Sequence, residues 1–201
     1  MSSCCGPTPS SLDPSSLDQT QAVEDRYGAA AAEQEACLCT PVAFDPSLLK
    51  PIPQDVVERD YGCGDPTRWV RSGDAVLDLG SGSGKNACIC AQVVGATGQV
   101  IGVDRNADML ALSRSAAPVV AERIGYANVG FLEGAIEALD AANAQGEPLV
   151  ADSSIDVVLS NCVLNLVNPS AREKLLKNIR RVLRPEGRVA ISDIVCDRPV
   201  P

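Results

Sequence analysis

The chain has no histidine, and only 3% of its 201 residues are aromatic. Without imidazole there is no histidine base, no histidine proton shuttle and no histidine metal ligand. No apolar run approaches the roughly 18 residues that a membrane-spanning helix needs, so nothing is expected to cross a bilayer. The first twenty residues, MSSCCGPTPSSLDPSSLDQT, have neither a basic start nor an apolar centre and do not read as a secretory signal. A cytoplasmic chain with reduced thiols is expected. Basic residues are few, 17 Lys and Arg against 26 Asp and Glu, for a net charge of −9. Nucleic acid and anionic membranes would need a basic footprint, so neither is expected as a partner, and a small molecule is. No Cys-x-x-Cys pair occurs among the nine cysteines, and an odd number in a reducing compartment argues against a disulfide scaffold.

What is present is organised in three stretches. Residues 1–20, rich in Ser and Pro, read as a disordered tail. Residues 21–74 read as an N-terminal helix, interrupted at Gly28, and a proline-containing connector. From Ala75 onward short apolar runs alternate with helical stretches. Strands are expected at AVLDL, at Gln99–Asp104, at Asn128–Gly134, at Ile155–Asn161 and at RVAISDI. Helices are expected near Lys85–Val94, over Ala107–Ile124, and from a Ser170/Glu173 capping box to Leu183. Strands alternating with helices at this spacing imply parallel crossovers and a doubly wound, mainly parallel α/β sheet.

The first strand runs into Asp78-Leu-Gly80-Ser-Gly82-Ser-Gly84. Glycines let a backbone turn sharply and approach a ligand without Cβ interference, here at a strand's carboxyl end. Asp104 ends the second strand 20 residues after Gly84, where a carboxylate can accept both hydroxyls of a ribose. The spacing is GxGxG rather than the dinucleotide GxGxxG. Asp78, just ahead of the loop, is a poor neighbour for pyrophosphate and a good one for a cationic amino group. Together these features ask for a nucleoside with a cationic, amino-acid-like tail, a description that fits S-adenosylmethionine.

On these motifs the sequence resembles the class I S-adenosylmethionine-dependent methyltransferases, which have a Rossmann-like fold. More narrowly it resembles the arsenite methyltransferases, through Tyr61-Gly-Cys63-Gly64, LDLGSGSG, Gly102-Val-Asp104 and Ser160-Asn-Cys162-Val-Leu-Asn165-Leu. The resemblance implies that Asp78, Gly80 and Gly82 hold the cofactor's methionine end and Asp104 its ribose, with Gly84 also among the cofactor-binding residues. It assigns Ile136 and Glu137 to the adenine edge and Asn161 to the reacting end. It also implies a family chain that continues beyond the fifth strand, so the core over residues 75–201 is expected to be truncated there.

The resemblance further implies that Cys63, Cys162 and an N-terminal cysteine handle arsenic. Cys37 matches the last best, with Cys39 two residues away. Thiolates are soft donors, and trivalent arsenic takes three sulfurs. The implied reaction is methylation of arsenite, held as a thiol conjugate, with the arsenic lone pair attacking the sulfonium methyl. That nucleophile carries no proton, so no base and no inflection near pH 6.5 are expected. Glutathione or thioredoxin would serve as thiol reductant and co-substrate. Two other readings stand beside this one. An organic acceptor would require a carboxylate or tyrosine near Asn161, and neither Tyr61 nor Tyr126 is clearly there. A non-catalytic fragment would bind cofactor or metalloid without turnover. Cys88 and Cys90 read as core, Cys4 and Cys5 as exposed tail thiols, Cys196 as undecided, and Trp69 as a packing residue.

Overall fold

The computed structural model describes residues 19–32, 42–143 and 145–195. The N-terminal tail and Cys4, Cys5, Cys37, Cys39 and Cys196 therefore lie outside the described residues. Five parallel strands form one sheet in the order β3-β2-β1-β4-β5. They are β1 (Ala75–Leu79), β2 (Gln99–Asp104), β3 (Val129–Glu133), β4 (Ile155–Asn161) and β5 (Leu183–Ser192). The order reverses beside β1, and in open α/β sheets ligands bind at the carboxyl ends of the strands at that point.

Alternation along β1 shows how the two faces are filled. Val76 joins the cluster under α4 (Lys85–Val94) and α5 (Ala107–Ile124), with Val157, Leu159 and Ile89. Leu77 and Leu79 point the other way, into Leu175, Ile179 and Val182 of α6 (Arg172–Val182). Because successive side chains point to opposite faces, Asp78 falls on the α4 side, below the glycine loop. α5 is capped by Asn106, whose side chain accepts from the N–H groups of Asp108 and Met109. Among the described residues no helix is long and apolar enough to cross a membrane.

Several expectations needed revision. α1 (Gln19–Ala32) runs unbroken through Gly28. A Cβ there would lie 3.4 Å from Asp108 Oδ2 and 3.6 Å from Asn106 Nδ2, ordinary contact distances beside the start of α5. Ser170 does not cap α6. Asn168 accepts from the Ser170 N–H at the head of a 3-10 turn, Pro169–Ala171, which leads into the helix. The Pro-Glu-Gly turn lies inside β5: Ile155 pairs with Leu183 and Val157 with Arg188, so the intervening residues bulge outward. Trp69 is exposed rather than packed.

Candidate active site

The glycine loop is shaped by its neighbours. Gly80, Gly82 and Gly84 have φ of 66°, 50° and 90°, in the left-handed region. A Cβ on Gly80 would come within 2.6 Å of Val163, and one on Gly84 within 2.8 Å of Phe131. Gly82 differs, because a Cβ there would meet nothing within 4 Å. Its backbone is bare toward open space, as a ligand cradle requires. The Gly80 and Ser81 N–H groups donate to the Val103 carbonyl (2.8 and 3.1 Å), and the Gly82 N–H donates to Asp104 Oδ2 (2.8 Å). Asp104 Oδ1 accepts from the Asn106 N–H (2.9 Å). One carboxylate thus ties the loop to the head of α5.

The acidic groups carry the site's electrostatics. Asp78 is only 2% exposed, and burial pushes its carboxyl up to about 8, with Asp60 and Asp104 adding repulsion. A group titrating near neutrality therefore exists despite the missing histidine. Asp78 Oδ2 and Asn86 Oδ1 are buried acceptors with no hydrogen-bond partner among the described residues. Such a pair suits a ligand group rich in N–H donors. Burial also raises Asp104, against the N–H groups of Asn106 and Gly82 that favour its charged form. Asp60 is paired with Lys85, which is itself buried and sits 3.9 Å over the Phe44 ring.

At the end of β4, Asn161 spends its amide on a loop 97 residues away. Oδ1 accepts from the Cys63 and Gly64 N–H groups (3.0 and 3.2 Å), and Nδ2 donates to the Gly64 carbonyl (2.9 Å). Cβ atoms at Gly62 and Gly64 would fall on Asn161 and Ser192, so both positions need glycine for this close approach. The next residue, Cys162, has φ 58°, which is uncommon for a residue with a Cβ, and its N–H donates to the Ser192 carbonyl (2.7 Å). Cys63 and Cys162 are joined in a disulfide with Cα atoms 5.8 Å apart. The sequence argued against a disulfide scaffold, yet folding brings together this one pair of thiols, 99 residues apart in the chain. As arsenic ligands both would first have to be reduced.

These elements border one cleft of about 1080 Å³, its open mouth included. Gly80, Gly82, Asp104, Ile136, Glu137, Asn161 and Cys162 line it, as does Tyr61, which the sequence left unplaced. Glu137 is engaged by Arg105 at 2.7 Å. Asp78 lies beneath the lining and Gly84 turns away from it, so neither reaches the cleft surface, and Cys63 meets it through its bond to Cys162. Tyr126 is not at the cleft; its hydroxyl lies 3.5 Å from the Ala91 carbonyl. Cys88 and Cys90 are fully buried, and burial drives their thiols up, Cys88 to about 12. They are core, as expected. Sequence reasoning missed Val23, Tyr27, Asp60 and Asn86. For the first two the signal was their four-residue spacing on one helix, and for Asp60 its place beside the Tyr-Gly-Cys-Gly motif.

Comparison with known proteins agrees with this geometry. A family model described as a methyltransferase domain matches residues 70–201. The chain is 38% identical over 185 residues to an arsenite methyltransferase of Aquipseudomonas alcaligenes, covering 89% of this chain and 51% of that protein. It is 36% identical over 155 residues to the mouse (Mus musculus) arsenite methyltransferase, covering 76% of this chain and 39% of that one. Among solved structures it is similar to an arsenic(III) S-adenosylmethionine methyltransferase from Chlamydomonas reinhardtii. That match has a TM-score of 0.70 at 38% identity, over 81% of this chain and 52% of the other. The chain thus spans between 39% and 52% of the length of these relatives. The glycine loop, its acidic partners and the strand order all lie within or beside the matched segment, and the chain belongs to the methyltransferase-domain family.

Proposed function

We propose that the chain binds S-adenosylmethionine and methylates trivalent arsenic, presented as a thiol conjugate, with the arsenic lone pair as nucleophile. The observation that carries this reading is the meeting of Cys63 and Cys162 at the cleft that the glycine loop and Asp104 also border. Once reduced, by glutathione or thioredoxin, the two sulfurs form a soft chelating pair. Cys37 is the third ligand in this proposal.

The residues present fit the cofactor. Gly82 leaves a bare cradle, Asp104 retains acceptor capacity for ribose hydroxyls, and the unpartnered Asn86 oxygen in the lining, with the Asp78 carboxyl buried beneath it, suits a cationic amino group. Ile136 and Glu137 supply an apolar and a polar edge for the base. When bound, S-adenosylmethionine supplies an electrophilic methyl on a cationic sulfur. Asn161 holds the Cys63 loop against Cys162 through its amide and borders the cleft at that end. No residue needs to remove a proton, because the arsenic lone pair is already free.

Cytoplasmic residence belongs with this reading. An organic acceptor is less well supported, because the Tyr61 hydroxyl is committed to the Ala30 carbonyl (2.9 Å). The test is product analysis of the 201-residue chain with S-adenosylmethionine, arsenite and excess glutathione. Methylarsenicals above the protein-free control, lost in Cys162→Ser, support the reading. Cofactor binding without methylarsenicals favours the non-catalytic alternative, and arsenite methylation at the parent rate by Cys162→Ser refutes the ligand assignment.

A further inference from the structure

Tyr27 has no part in the reading above, yet it lines the cleft from a different element. Val23 and Tyr27 of α1 border the same cleft as Asp104, Asn106 and Ile136. They lie four residues apart, on one face of the helix. Ala30, three residues further on that side, is the buried anchor of α1 at 2% exposure. α1 packs on α5, and Tyr27 reaches the cleft that Asp104 also lines. Its ring meets Tyr61 edge-on, with centroids 6.2 Å apart and planes at 62°. The Tyr61 hydroxyl and the Arg59 guanidinium then tie the C-terminal half of α1 down through the carbonyls of Ala30 (2.9 Å) and Ala32 (3.3 Å).

Tyr27 shares the cleft lining with Asp104, Asn106 and Ile136, and the charge of Asp104 bears on its hydroxyl, as does that of Asp193. An aromatic ring held there by an edge-on neighbour offers a flat apolar face to a nucleoside. Resting on the cofactor reading above, we propose that Tyr27 is a cofactor-binding residue whose ring covers the adenosine moiety, with α1 as one wall of the cleft. Base–aromatic contacts of this kind are worth enough to change affinity by roughly tenfold or more.

The test is calorimetric titration of the full chain and of Tyr27→Ala and Tyr27→Phe with S-adenosylmethionine, S-adenosylhomocysteine and adenosine, adenosine being read by competition. Thermal melts of each ligand-free variant accompany the titrations. Tyr27→Ala is expected to weaken all three ligands by about the same factor, roughly tenfold, because all three share the nucleoside. Tyr27→Phe, which keeps the ring, should stay within about twofold of the parent. Backbone amides of α1 should gain hydrogen-exchange protection when S-adenosylhomocysteine binds the parent. Unchanged affinities in Tyr27→Ala, a loss confined to the sulfonium ligand, or an equal loss in Tyr27→Phe would each overturn the inference. A lowered melting temperature with unchanged affinities would assign Tyr27 to packing alone. A parent chain that binds none of the three overturns the cofactor reading, and the inference with it.

Discussion

Replacing Asp78 with asparagine should stabilise the ligand-free protein, and by an amount that grows with pH. The carboxyl is 2% exposed, and burial together with Asp60 and Asp104 raises it from 3.8 to about 8. Between those values the folded chain holds a proton that the unfolded chain has released. The contribution of Asp78 is therefore fully present below about pH 4 and is lost as pH rises toward 8, at about 1.4 kcal/mol per pH unit. From pH 5 to 7 the parent should lose about 3 kcal/mol through this one group, a large part of a domain's stability. Asparagine has nearly the same shape and no proton to lose. The advantage of Asp78→Asn should thus widen from near zero at pH 4 to a few kcal/mol at pH 7. Urea unfolding of both proteins without reductant at pH 5, 6 and 7 measures it. A parent–variant difference that stays constant over that range would refute the argument that Asp78 is buried as a neutral acid. A cationic ligand seated beside Asp78 should drive the proton off. Binding enthalpies measured in buffers of different ionisation heat would register that release, and they would not if Asp78 stays neutral.

Other perturbations probe the β4 end. Asn161→Ala removes three hydrogen bonds to the Cys63–Gly64 loop and should cost about 2–4 kcal/mol in urea unfolding, with backbone N–H groups left unpaired. Gly64→Ala should destabilise by more than about 1 kcal/mol through the Ser192 hydroxyl, and Ser192→Gly should recover much of that loss in a double-mutant cycle. Additive effects would rule that contact out. Reducing the disulfide, which closes a separation of 99 residues, should cost up to about 5 kcal/mol by chain entropy. Thermal melts with and without dithiothreitol should then differ by on the order of 10 °C. Equal melts would mean that the cross-link contributes nothing to the fold.

Local signals in the sequence were enough to determine most of the secondary structure and to single out the glycine loop and Asp104, which border the cleft. The apolar runs of β1, β2 and β4 and the long helix α5 match the expected limits, because strands buried on both faces need continuous apolar sequence and Asn106 and Gly125 mark the helix ends. The glycine loop and Asp104 were legible for the same reason, since each is a short motif at a strand end. Tertiary structure alone decided which distant groups meet. The Cys63–Cys162 bond, the grip of Asn161 on a loop 97 residues away and the arrival of Tyr27 beside Asp104 depend on how the helices and loops pack over the sheet. Local errors had the same origin. Gly28 read as a helix break because glycine costs helix stability, yet α1 continues through it and packs on α5. Asp78 read as a charged neighbour for a cation. Only its burial on the α4 side of the core raises its carboxyl to about 8.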